Sequence, residues 1–141
     1  MKDVYLSLGT NLGDRHAYIS CCLDILRAEL GEIETSEIIE TEAVGFEAPA
    51  FLNCVLKCTY DKGPFSLLKL CKGVERSMGR TDGPEYDADG NRIYHDRIID
   101  VDILRYGDLE MRTEELTIPH HALSERLFFE ELMASIDQDK A

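Results

Sequence analysis

The stretch "VYLSLG" alternates Val4, Leu6 and Leu8 against Tyr5 and Ser7, the period of a half-buried β-strand. "TNLGD" breaks it. Ile19, Cys22, Leu23, Leu26 and Leu30 then recur at helical spacing, and Gly31 stands where that helix should stop. "EIETSEIIET" predicts a second, more polar strand and "AVGFEAPA" a loop. "FLNCVLKCTY" predicts a third strand, with Leu52, Cys54, Leu56 and Cys58 towards the core and Phe51 and Asn53 on the opposite face. Pro64 opens a second helix where its missing N–H costs nothing; Leu67, Cys71, Val74 and Met78 form the buried stripe, and Gly79 ends it. Residues 81–94, rich in Gly and Asp, predict a long mobile loop. A strand follows in "DRIIDVDIL", then a short extended piece in "LTIPHHAL", then a last helix carrying Leu123, Leu127 and Leu132.

That order, β-α-β-β-α-β with additions, predicts an α+β, ferredoxin-like antiparallel sheet with helices on one face. The other face would be free, and a free face needs a reason. Phe51, Asn53, Asp100 and Asp102 can all lie on it.

The strand at 98–104 is the least ordinary of these elements. It is apolar, yet Asp100 and Asp102 point to one face while Ile99, Val101 and Ile103 point to the other. The two acidic Cα atoms would be roughly 6.5–7 Å apart. Carboxylates that close repel unless water, a cation or a basic group intervenes. Two readings stay open from this stretch: a solvated outer face, or a pair of oxygen ligands for Mg²⁺, with Arg97 beside them as a phosphate contact.

Composition narrows the partners. The 141 residues suit one domain, 1–141, with a real core; 44% are hydrophobic and 30% charged. A net charge of -13 disfavours nucleic acid or an anionic membrane as the main partner, and any phosphate substrate must be met by metal and clustered Arg. The five cysteines, Cys21, Cys22, Cys54, Cys58 and Cys71, lie in apolar patterns without a C-x-x-C and read as reduced core residues. With no signal peptide and no long apolar run, a cytoplasmic location is expected.

Some motifs fail on inspection. "LGTNLGD" lacks the Gly-Lys-Ser/Thr of a phosphate loop. "DADGN" begins like a calcium loop, but Arg92 stands where Gly is needed and Ile98 where the closing Glu belongs. His120 and His121 are adjacent, poor spacing for one metal, and Arg126 alone would be a solvated helix charge.

Five segments in order carry a resemblance: "LSLGTNLGDR", "FLN" at 51–53, "ERSMGR" at 75–80, "DRIIDVDIL" at 96–104 and "TIPHHALSERLFF" at 117–129. With them the chain resembles the 6-hydroxymethyl-7,8-dihydropterin pyrophosphokinases. The resemblance implies the ferredoxin-like fold and transfer of a pyrophosphoryl group from ATP to the pterin hydroxymethyl oxygen, releasing AMP. It implies ATP as co-substrate, two Mg²⁺ held by Asp100 and Asp102, and small-molecule substrates; a monomer is expected. Pterin would stack between Phe51 and Phe128, pair with Asn53, and meet Thr41 and the backbone around Val44. Glu75, Ile103, Thr117, His120 and Arg126 would surround ATP; Arg80 and Arg97 would reach its phosphates. Tyr94, in a catalytic lid spanning 81–96, would close over the site.

The chain departs from that pattern in places. Thr81 and Asp82 follow Arg80 where a second basic residue is often found, with Arg92 as a substitute, and Glu115 stands where a basic residue can contact nucleotide. A second reading, a diverged relative that binds pterin or nucleotide with little turnover, has less support. A pure binder has no need of a two-metal carboxylate pair.

Overall fold

The computed structural model describes the chain apart from residues 1, 12, 43–49, 80–84, 87, 91, 94–98, 122, 124–125 and 139–141, and apart from the side chains at 85–86, 92–93 and 138. The first strand, β1 (Lys2–Thr10), forms the centre of the sheet. Helix α1 (Arg15–Leu30) starts at Asp14, whose carboxylate accepts the Ala17 N–H at 3.2 Å. It stops at Gly31, where φ is 83° and the N–H returns to the Arg27 carbonyl.

The second predicted strand is in fact two pieces, β2 (Glu34–Thr35) and β3 (Ile39–Thr41), which both pair with β4 (Phe51–Tyr60). Ser36 explains the break. Its N–H donates to the Val55 carbonyl at 2.8 Å, and its hydroxyl accepts the Val55 N–H at 2.9 Å, so a side chain replaces a ladder bond there. Helix α2 (Pro64–Ser77) has Pro64 in its first turn, as its sequence suggests. Gly79 follows at φ 95°. The segment expected as a bare loop contains a small antiparallel pair, β5 (Glu85–Tyr86) with β6 (Arg92–Ile93).

Strand β7 (Asp100–Tyr106) closes the main sheet, whose order is β2-β4-β1-β7, antiparallel at each described pairing. Met111–Arg112 (β8) and Thr117–Ile118 (β9) form a second small hairpin beyond it, and the extended piece at 117 is borne out. The last helix is α3 (Leu127–Gln138).

The core lies between the sheet and helices α1 and α2. Val4, Leu6, Leu8, Leu56, Ile19, Leu26, Leu67 and Cys71 are fully buried in it, the stripe that periodicity predicts. The expectation of helices on one face alone is corrected by α3. Phe129, Leu132, Met133 and Ile136 bury Val55 and Leu104 on the opposite face in a second cluster. Leu123 joins that cluster from before the helix, whereas Leu127 is exposed. At its end Asp137 accepts hydrogen bonds from Tyr5 Oη and Lys57 Nζ, each at 2.8 Å. Of the cysteines, Cys22, Cys54, Cys58 and Cys71 are buried, while Cys21 is exposed, against its apolar-looking context, because it falls on the outer side of α1. Among the described residues no helix is long and apolar enough to cross a membrane.

Candidate active site

Strand register builds the site. Gly9 of β1 pairs with Asn53 of β4 on one side and with Asp100 of β7 on the other. One step along, Ser7 pairs with Val55 and with Asp102. Paired residues share a face, so Asn53, Gly9 and Asp100 form a row across the sheet, and Asp102 lies in the next row. That next row runs under α3, because Val55 belongs to the second cluster. Phe51 and Asp100, at the other end of the face, are half-buried.

On the β4 side, the amide of buried Asn53 donates from Nδ2 to the Thr41 hydroxyl at 2.6 Å. Thr41 pairs with Phe51 in the β3–β4 ladder. Thr41, Phe51 and Asn53 therefore come together as expected. Gly9 belongs with them and was missed. A Cβ built there would stand 3.1 Å from Asn53 Oδ1 and 3.8 Å from Phe51 Cδ1, so the bare backbone leaves room beside both. The signal was present in "LGTN": a glycine inside a strand pattern marks a close approach.

On the β7 side a cleft of about 260 Å³ runs along the outer edge of the strand, between α2 and the β8–β9 hairpin. Glu75, Asp100, Asp102, Ile103, Thr117 and His120 all line it, six of the residues singled out by resemblance. Glu75 is buried, and its Oε2 accepts the backbone N–H of Val101, the residue between the two aspartates, at 2.9 Å. His120 is placed by its own backbone, whose N–H donates to the Leu104 carbonyl at 2.9 Å. Its Nε2 then stands 3.9 Å from Asp102 Oδ1, and its ring stacks on His121 at 4.4 Å between centroids.

The wall also carries Glu114 and Glu115, so carboxylates outnumber Lys72 and the two histidines. A polyphosphate could not enter this field without cations. Two hard oxygen donors at i, i+2 on one face suit Mg²⁺, which needs only one or two carboxylates when phosphates supply further ligands. Among the described residues no group of three or more His, Cys, Asp or Glu forms an all-protein metal cage. The donor set thus fits a metal shared with substrate.

Phe128 is half-buried at the head of α3, with its ring tilted against Phe129 at 4.4 Å, and Arg126 is exposed just before the helix. Arg126 does not line the cleft. Val44, Arg80, Tyr94 and Arg97, with most of the expected lid, lie outside the described residues.

The α+β sheet thus places a carboxylate-lined cleft beside an aromatic and amide corner. The profile of the 7,8-dihydro-6-hydroxymethylpterin-pyrophosphokinase family matches residues 5–138. A 2-amino-4-hydroxy-6-hydroxymethyldihydropteridine pyrophosphokinase of Porphyromonas gingivalis is 40% identical over 131 residues, 91% of this chain and 86% of its relative. Proteins of the same name from Aquifex aeolicus and Bacillus subtilis are 39% and 34% identical, covering 92% and 95% of this chain and 76% and 77% of the relatives. The chain belongs to the 7,8-dihydro-6-hydroxymethylpterin-pyrophosphokinase family. It is an ATP-dependent diphosphotransferase of folate biosynthesis, acting on hydroxymethyldihydropterin.

Proposed function

We propose that the transfer runs along the row Asn53–Gly9–Asp100, with pterin over the β4 side and ATP in the cleft beside β7. The register of that row is the observation that carries the reading. Adjacent strands lie about 4.8 Å apart, so two steps separate the Asn53 and Asp100 backbones by roughly 10 Å. That is the scale of a bicyclic ring system carrying a hydroxymethyl arm. The polar ring edge would meet Asn53 and Thr41, Phe51 and Phe128 would hold the ring faces, and Val44 would complete the edge. The hydroxymethyl oxygen would cross Gly9 towards Asp100.

Asp100 and Asp102 would hold two Mg²⁺ together with the ATP phosphates. When bound, these ions neutralise phosphate charge and favour loss of AMP. Glu75 fixes the peptide between the two aspartates and so their separation. His120 and Thr117 close the outer wall around the nucleotide, with Ile103 as apolar floor. Arg126, Arg80 and Arg97 would neutralise phosphate charge, and Tyr94 would shut out water. The sheet order supports the ferredoxin-like arrangement, and the chain is proposed to act as a single-domain cytoplasmic monomer.

The test is direct. Purified protein with Mg²⁺, ATP and 6-hydroxymethyl-7,8-dihydropterin should yield AMP and the pterin diphosphate in equal amounts. ADP with a monophosphorylated pterin would reject the reaction, and binding without product would favour the non-catalytic relative.

A further inference from the structure

Arg15, the first residue of α1, reaches out of the helix to the β3–β4 corner. Its Nη1 donates to the Ala50 carbonyl at 2.7 Å and its Nη2 to Glu40 Oε2 at 3.2 Å. Ala50 immediately precedes Phe51 and Glu40 immediately precedes Thr41; Thr41 and Phe51 are themselves paired. One guanidinium thus grips both strands just beside the residues that carry the aromatic and the hydroxyl of the corner. Thr41–Phe51 is the last pair of the described β3–β4 ladder, so the guanidinium sits at its end.

The two contacts are unequal. Glu40 is 58% exposed, and an ion pair in water contributes little. The Ala50 contact is short, charge-assisted and partly buried, with Arg15 only 28% exposed. The planar fork makes both bonds at once, which a lysine ammonium cannot match in geometry.

We propose that Arg15 is a positioning residue for pterin recognition: through the Ala50 carbonyl it sets Phe51, and with it the Thr41–Asn53 pair, at the spacing the pterin ring needs. This rests on the reading of the β3–β4 corner as the pterin site. Arg15 itself touches no substrate in this account, so its effect falls on pterin affinity and leaves the nucleotide cleft beyond Gly9 alone.

The experiment is a calorimetric titration of hydroxymethyl-dihydropterin into the full chain with Mg²⁺ and a non-hydrolysable ATP analogue, beside a titration of the analogue itself. Arg15→Ala should raise the pterin Kd at least about tenfold, the value of one charge-assisted hydrogen bond, with the analogue Kd unchanged. Arg15→Lys should fall between it and the parent, and Glu40→Gln should stay within about twofold. If Arg15→Ala does not fold, Arg15→Lys carries the same comparison. Asn53→Ala separates the two ways to fail. A weakened Asn53→Ala beside unchanged Arg15 variants overturns the role of Arg15 and leaves the pterin site standing. Unchanged pterin affinity in both overturns the site and the proposal together. Equal loss of pterin and analogue binding in the Arg15 variants reduces Arg15 to general scaffolding and also overturns it.

Discussion

The carboxylate of Glu75 accepts the backbone N–H of Val101 at 2.9 Å, from a side chain that is 4% exposed. A buried carboxyl group needs hydrogen-bond partners, and this contact also ties α2 to the strand between Asp100 and Asp102. Glu75→Ala leaves the Val101 N–H without this acceptor. It should lower stability by about 1–3 kcal/mol and kcat as well. Glu75→Gln keeps an oxygen acceptor and should recover most of the stability. Urea unfolding of the two variants, read beside turnover, checks the pairing; equal stability of Glu75→Ala and parent would refute it.

Gly9 is expected to matter through space alone. Its φ is not in the left-handed region, so alanine can adopt the backbone, and the added Cβ meets Asn53 Oδ1 at 3.1 Å. Gly9→Ala should fold with nearly the parent melting temperature, yet bind pterin several-fold more weakly by pushing the Asn53 amide aside. A variant with parental pterin affinity would mean that the face between Asn53 and Asp100 is not occupied by substrate.

The thiols make a pH prediction. Burial raises Cys22 and Cys54 to about 12 and Cys58 to about 11 from 9.0, and raises Cys71 further still. In the unfolded chain thiols ionise near the ordinary value while the native ones keep their protons. Above about pH 9 the unfolded state therefore binds fewer protons, and stability falls as pH rises towards 11–12. Tyr5, raised by burial, and Lys57, raised by its hydrogen bond to Asp137, act with the same sign. Urea midpoints should be flat from this source between pH 7 and 8 and drop by pH 10. At pH 8 iodoacetamide should modify Cys21 quickly and the other four only on unfolding.

Much of this was legible beforehand because it depends on period. The faces of β1, β4 and β7 follow from alternation, and the stripes of α1 and α2 from helical spacing, so the core and the Asp100–Asp102 pair could be read directly. The Ser36 break could not, since it depends on a side chain meeting Val55 across strands. Nor could the docking of α3 over Val55 and Leu104, which turns a face expected to be free into one that is half covered. Gly9 and Arg15 were inside a quoted motif but carried no chemistry until the register placed them.

The central claim is that Asp100 and Asp102 serve the transfer rather than the fold. Its most direct test is kcat and pterin Kd for Asp100→Ala and Asp102→Ala with Mg²⁺ and ATP, alongside melting temperature. Both aspartates are half-exposed at the cleft, so neither variant should lose the fold. Loss of metal-based charge stabilisation should lower kcat at least about a hundredfold and leave pterin affinity within a few-fold of the parent. Near-parental kcat in either variant would contradict the claim.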